Sequence, residues 1–311
     1  MKQTYRYLFG PVPSRRLGRS LGVDLTPFKT CTLDCVFCQL GRTTVKTVER
    51  REYVPTAAVN TEIAEWLEAG GIADHITLAG SGEPTLHAGF GDVLQSIRSR
   101  TDIPTVLLSN GTLFTDPAVR EAAGHADIVK LSLSAWDSFS FNCINRPHPD
   151  LDFPRIVQGY QAFRKAFKGK LWLEVFLIKG TNSAQRDVER IAVLAETIHP
   201  DAIHLNTSVR PTAETSTVAL PPAQMIALTT IFRPVATVIA DFQIEPGSPV
   251  AATEETILAM LKRRPCSARQ IADVFNMHIN EVTKYIGNLL HTGQAQIQRR
   301  DDETYYTGTK Q

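Results

Sequence analysis

From about residue 20 to residue 235, short apolar runs alternate with amphipathic stretches, a pattern that confines the chain to a parallel β-sheet flanked by helices. Leu21–Thr26, Ile76–Ala79, Thr105–Ser109, Ile128–Leu133, Leu171–Ile178 and Ala202–Asn206 read as six buried strands, each bounded by Gly, Ser, Asn or Pro. Between them, Thr56–Leu67, Pro117–Ala123 and Asp187–Ile198 carry helical periodicity, with Asp116-Pro117 as a cap and first-turn proline. Right-handed crossovers either curl such a sheet into a barrel or leave it open and doubly wound. In both cases ligands gather at the C-terminal ends of the strands.

The residues with chemical potential fall at those ends. Cys31, Cys35 and Cys38 follow the first strand, Gly80-Ser81-Gly82-Glu83-Pro84 the second, Ser109-Asn110-Gly111 the third, Ser134 the fourth and Asn206-Thr207-Ser208 the sixth, while Glu174 lies within the fifth. The topology therefore predicts that they converge on one face of the sheet.

Three cysteines within eight residues, in a chain that has only five, imply one metal centre. So tight a loop cannot pair all three thiols, and Met1–Gly10 has no apolar stretch of the secretory kind, so a reducing cytoplasm is the expected compartment. Zinc is the rival occupant. A structural zinc site closes its shell with four ligands, and the next histidine along the chain, His75, lies beyond a helical segment. Three thiolates without a fourth ligand would leave one iron of a [4Fe–4S] cluster open for chemistry.

The CxxxCxxC spacing with Phe37 just before the last cysteine resembles the signature of the radical S-adenosylmethionine (SAM) superfamily, and the resemblance runs over roughly residues 20–210. It implies a partial (β/α)6 barrel, a cluster held by Cys31, Cys35 and Cys38, and SAM on the open iron, cleaved to a 5′-deoxyadenosyl radical that abstracts hydrogen from a substrate. Gly80, Ser81, Gly82, Glu83 and Pro84 match the family's glycine-rich cofactor segment, where glycine lets backbone approach a ligand. Phe37, Ser109, Asn110, Ser134, Glu174 and Asn206 complete the cofactor positions that the resemblance implies, although Glu174 reads equally as an inward-facing carboxylate paired with a neighbour. A flavodoxin or ferredoxin is the implied electron donor.

Lys130–Asp137, Ile144–His148, Leu173–Gly180 and Leu205–Pro211 are similar to the iron–sulfur oxidoreductases that include the wyosine tRNA-base synthase, which suggests RNA-base modification as one substrate class. That synthase carries a second cluster on upstream cysteines, and here no cysteine precedes Cys31. His148 and Arg210 are the candidate substrate-binding residues. Cys143 and Cys266, each alone in a helical context, read as packing residues.

Length and composition agree with a folded core: of 311 residues 43% are hydrophobic, with no run long enough to span a membrane. Net charge is +1, yet residues 1–55 hold ten Lys/Arg against four Asp/Glu. The excess reads as counter-charge for an anionic cluster or as attraction for an anionic or RNA substrate. Residues 1–242 form the expected core domain and 243–252 a linker. Residues 253–311 resemble a winged helix-turn-helix: helix 254–263, a second helix capped by Ser267 with Gln270, a third after Asn280, then a hairpin of Gln294–Ile297 and Thr304–Thr307. Its eight Lys/Arg against seven Asp/Glu are few for strong phosphate contacts, so protein contact or substrate delivery competes with DNA binding. Two function classes stand at this level, a radical enzyme and a cluster-dependent DNA-binding regulator; only the enzyme needs a SAM pocket.

Overall fold

The computed structural model describes residues 5–14, 16–239, 252–263, 265–300 and 303–309. The expected linker lies outside these residues except for Ala252. In chain order the elements are β1 Leu8–Ser14, β2 Gly18–Val23, β3 Thr30–Cys31, β4 Val45–Lys46, α1 Thr56–Glu68, β5 His75–Leu78, α2 Phe90–Arg98, β6 Thr105–Ser109, α3 Pro117–Ala123, β7 Ile128–Ser132, α4 Ser138–Asn145, α5 Phe153–Ala166, β8 Lys170–Leu177, α6 Gln185–Ile198, β9 Ala202–Thr207, α7 Pro222–Thr229 and β10 Thr237–Val238.

The main sheet runs β1-β2-β5-β6-β7-β8-β9-β10. Only β1 is antiparallel to its neighbour, and every pairing from β2 to β10 is parallel. Strand order follows chain order without reversal. A doubly wound sheet reverses at a switch point; here each crossover advances the sheet in one direction, the winding of a partial barrel left open between β1 and β10. The expected six strands become eight. β1 contains Pro11 and Pro13, which remove ladder donors and confine such a strand to an edge, and β10 is only two residues long.

Alternation along the strands divides the side chains between two faces. Leu171, Leu173, Val175 and Leu177 of β8 join the large core with Tyr160 and Phe163 of α5 and Ile191 and Ala195 of α6. Trp172, Glu174 and Phe176 take the other face. There Leu17, Val106 and Ile128 pack with Leu108 and Trp172 at the N-terminal end. At the C-terminal end Phe176, Ile144 and Ile178 pack with Val36 and Phe37.

The last segment contains α8 Glu254–Arg263, α9 Ala268–Phe275, α10 Ile279–His291 and the hairpin of β11 Ala295–Arg300 and β12 Glu303–Gly308. Ile257, Leu261, Ile271, Phe275, Val282, Ile286 and Leu289 form a separate core. The Ser267–Gln270 capping box is present, while α10 begins two residues earlier than expected, capped by His278. Cys266 is not helical: its backbone bridges Tyr306 of β12. Cys143 is in α4 and exposed, so it is not a packing residue. No helix among the described residues is long and apolar enough to cross a membrane.

Fully buried Asn182 fixes the turn after β8. Its Nδ2 donates to the Ser134 and Phe176 carbonyls, both at 2.8 Å, and its Oδ1 accepts from Ile178 N at 2.7 Å. Asn182→Ala strands three buried backbone groups, and we expect a loss of roughly 3 kcal/mol, read as a lower urea midpoint with an unchanged slope.

Candidate metal and cofactor site

The cysteine loop leaves the end of β2 and is tied down from three directions. Lys29 N donates to Ser81 O (2.7 Å) and Glu83 N to Thr30 O (3.1 Å), joining it to the glycine segment after β5. Asp34 N and Val36 N donate to the Asn145 and Ile144 carbonyls at the end of α4, both at 3.0 Å. Ala213 N donates to Cys38 O (2.9 Å) and Glu214 N to Val36 O (3.0 Å) from the loop after β9. Gly82 is required for the first contact, since a Cβ there would collide with the Thr30 carbonyl oxygen.

The three thiols are partly exposed, and each faces one nitrogen donor. Asn110 Nδ2 lies 3.5 Å from Cys31 Sγ, Asn145 Nδ2 3.3 Å from Cys35 Sγ, and Lys29 Nζ 3.0 Å from Cys38 Sγ. Burial pushes Cys31 up to about 12, with Glu83 and Cys38 adding to it and Lys29 opposing. Burial, Cys31 and Cys38 raise Cys35 further. Thiols that resist ionisation alone and stand beside donors are suited to a cation that displaces their protons, because the donors then stabilise bound sulfur.

The donor set also discriminates between metals. A zinc ion needs its sulfurs about 2.3 Å away on all sides, whereas a cubane cluster takes each cysteine on a different iron. His75 cannot complete a zinc shell: it begins β5, at the opposite end from the cysteines, and its Nδ1 is 2.8 Å from Leu17 O. The residues fit a cluster.

Glu83 organises the next layer. Its Oε1 accepts from Thr85 N (3.1 Å), Thr85 Oγ1 (2.6 Å) and Ser109 Oγ (2.7 Å), and its Oε2 from Asn110 N (2.8 Å). Burial raises its pKa despite these bonds. The carboxylate thus locks the ends of β5 and β6 together. Asn110 extends the lock: its Nδ2 donates to Thr32 Oγ1 at 2.8 Å, its Oδ1 accepts from Thr112 N and Oγ1, and its carbonyl accepts from Tyr160. Gly111, at φ +79°, leaves room for that tyrosine hydroxyl. Ser81 donates to Asp24 Oδ2 at 2.6 Å, and Pro84 opens a buried turn.

Other sequence-predicted positions reach the same end of the sheet. Phe37 stacks on Phe176 with centroids 4.1 Å apart, and Ser134 Oγ accepts from Phe176 N at 2.9 Å. Glu174 sits one layer deeper, 3.0 Å from Arg16 Nη1 and 3.1 Å from Lys130 Nζ. Burial alone would raise it; the charges of Lys130 and Arg16, with hydrogen bonds from Lys130 and Asn206, instead hold it down at about 2. His204, beside Arg16, is depressed to about 4 by burial first and then by that positive charge. His148 is at the rim, its backbone N on Thr32 O and its ring 3.5 Å from Asp150. Arg210 is buried, within electrostatic reach of Tyr305 of the C-terminal hairpin.

Residues 25–194 match the family model described as the radical SAM superfamily. The chain belongs to that superfamily. Membership gives this radical SAM protein the two cofactors that its residues fit, a [4Fe–4S] cluster and SAM. It is 30% identical to a UPF0026 protein of Helicobacter pylori strain 26695 over 98% of both chains, and so belongs to that family as well. It is 34% identical to a Brachyspira hyodysenteriae protein named GTPase Obg, over 93% of this chain and 43% of the relative, so the chain spans less than half of that protein. The crystal structure of archaeal TYW1 shares the fold, with a TM-score of 0.50 and 15% identity over 73% of this chain and 75% of that one.

Lys29 and Asn145 escaped sequence analysis. Lys29 stands two residues before Cys31, and Asn145 lies within the Ile144–His148 stretch that resembles the family, but neither spacing shows that a side chain points at sulfur.

The ion pairs of Glu174 give a pH dependence. Its folded pKa lies below the ordinary 4.5, so its stabilisation is complete above that value and is lost as pH falls toward about 2. Glu174→Gln should destabilise the chain near neutrality and much less at pH 2, measured as the wild-type–variant difference in urea unfolding across that range.

Proposed function

We propose that this chain is an enzyme in which Cys31, Cys35 and Cys38 hold the cluster and the ends of β5, β6 and β9 hold SAM, for hydrogen abstraction from a substrate entering the sheet's inner face. A reduced cluster held by Cys31, Cys35 and Cys38 would supply the electron for reductive cleavage of SAM to methionine and a 5′-deoxyadenosyl radical. One observation carries the reading: the cysteine loop is hydrogen-bonded directly to the Gly80–Pro84 segment through Lys29–Ser81 and Glu83–Thr30. A redox sensor needs the cysteines but has no use for a cofactor cradle joined to them.

The protein's residues then bind, orient and shield. Backbone carbonyls of Gly80–Pro84 would accept from the methionine ammonium of bound SAM. Ser109, Asn110, Ser134 and Asn206 border the place for its carboxylate and ribose. Phe37, Phe176, Ile144 and Ile178 exclude water beside the cysteines. The Lys130 and Arg16 pairs of Glu174 favour a role in the charge of the interior over a ribose contact.

Arg16 and Lys130 face Glu174, and Lys130 is also within electrostatic reach of Glu83, so the interior cations are matched by carboxylates. The basic bias of residues 1–55 favours a substrate with an anionic group. A phosphate-bearing RNA nucleotide is within that class, as is a small carboxylate or phosphate, and His148 at the rim is the candidate for holding it. A small low-potential carrier such as flavodoxin or ferredoxin would deliver the electron. The regulator reading asks the C-terminal hairpin to face DNA, yet Arg300 and Tyr305 of that hairpin turn toward the residues after β9.

Anaerobically reduced, cluster-loaded protein should convert SAM to 5′-deoxyadenosine. Cys35→Ala should reduce this to background and Cys143→Ala should retain full turnover. Absence of product from the wild-type chain under strict anaerobic reduction would sink the reading.

A further inference from the structure

Residues 208–217, the strap after β9, have two occupied sides. On one side the strap holds the cysteine loop through Ala213 N and Cys38 O, Glu214 N and Val36 O, and Thr217 Oγ1 and Val36 O at 3.2 Å. The Glu214 carboxylate adds Arg42 at 2.7 Å and Arg146 at 2.6 Å, which also approach Asp34 in the loop. On the other side is the C-terminal hairpin. Arg300 Nη1 donates to Ser208 Oγ at 3.1 Å and to the Arg210 carbonyl, and Nη2 donates to the Thr217 carbonyl. The Tyr305 hydroxyl stands 3.3 Å from Val209 O.

The arrangement is that of a staple. Arg210 and Thr217 are near the two ends of the strap, and one planar guanidinium bonds a carbonyl at each. Guanidinium is suited to this because its donors are fixed in a fork, whereas an ammonium offers one compact charge. Around the staple the strap and the C-terminal module do not pack solidly. A cavity of about 860 Å³ opens between them, lined by Val209, Pro211, Thr212, Arg269, Arg299 and Tyr305 among others. The geometry of the strap therefore depends on a few polar ties: its own Ser208 Oγ bond to the Thr217 carbonyl at 3.2 Å, and those of Arg300 across the same two ends.

We propose that Arg300 is a positioning residue for the metal centre: by closing the strap it holds the backbone of Val36 and Cys38, so the C-terminal module sets the rigidity of a site to which it contributes no ligand. The link to the cluster rests on the reading of Cys31, Cys35 and Cys38 as its ligands; the mechanical link does not.

The test uses the full-length, cluster-loaded chain under anaerobic conditions, with two readouts: amide hydrogen exchange by mass spectrometry, and iron release to a chelator. In Arg300→Ala, peptides covering 208–217 and 31–41 should exchange about tenfold faster, a local opening about 1.4 kcal/mol easier, and iron should leave correspondingly faster. Arg300→Lys should fall between, because it reaches one carbonyl only. Arg299→Ala, on the adjacent exposed residue, should match wild type in both readouts. Thr217→Val removes a strap–loop bond without touching the module, and should also loosen 31–41 and speed iron release, which separates the proposal from simple unfolding of the module. If Arg300→Ala loosens 208–217 while 31–41 and iron release stay at wild-type rates, or if Thr217→Val changes neither, the proposal is wrong. Failure of the chain to take up iron at all would instead count against the cluster reading, and the exchange comparison would still decide the mechanical one.

Discussion

A single buried carboxylate holds the functional end of this sheet together. Glu83 accepts four hydrogen bonds from Thr85, Ser109 and Asn110, joining the ends of β5 and β6, while its own backbone N–H reaches Thr30 in the cysteine loop. From Asn110 the network passes to Thr32, Thr112 and the Cys31 sulfur. Removing an acceptor from such a network leaves several buried donors unpaired, each costing about 1–3 kcal/mol. The glycines around Glu83 are the corollary. A backbone that passes this close to a carbonyl, with a ligand expected on its other side, has no space for Cβ.

Electrostatics around this lock explain the local basic bias of the chain. Arg16 and Arg19 pair with Glu174 and Asp74, Arg42 with Asp34 and Glu214, and Arg50 with Asp116, while Lys29 faces Cys38 and Lys46 bonds the carbonyls of Arg146 and Pro147. Most of these cations neutralise specific partners on elements distant in sequence. The pairs at the rim are exposed and individually worth little. The interior triad of Arg16, Lys130 and Glu174 is different, because charges there are shielded from water and act on one another more strongly.

Wherever local pattern dominates, the sequence and the structure agree. Thr105–Ser109 and Pro117–Ala123 have the expected limits, because turn residues and an Asp116 cap bound them. The contacts that join Cys31, Gly80–Pro84 and Ser109-Asn110 are where parallel topology leads one to expect them. What was not legible depended on long-range contact. β1 is a strand because β2 offers it an edge, despite its prolines. The Arg210 carbonyl accepts from Arg300, some ninety residues later, a contact that no local pattern announces. Lys29 and Asn145 became visible only when the fold turned their nitrogens toward sulfur.

The central claim is a cluster with three cysteine ligands whose remaining iron receives SAM. Mössbauer spectroscopy of the chain reconstituted with iron-57 tests it most directly, because each iron subsite is observed separately. A single subsite should change its isomer shift and quadrupole splitting when SAM is added, while the cysteine-ligated subsites keep theirs. A spectrum in which no subsite responds to SAM, or in which every iron is already fully ligated by the protein, would contradict the account.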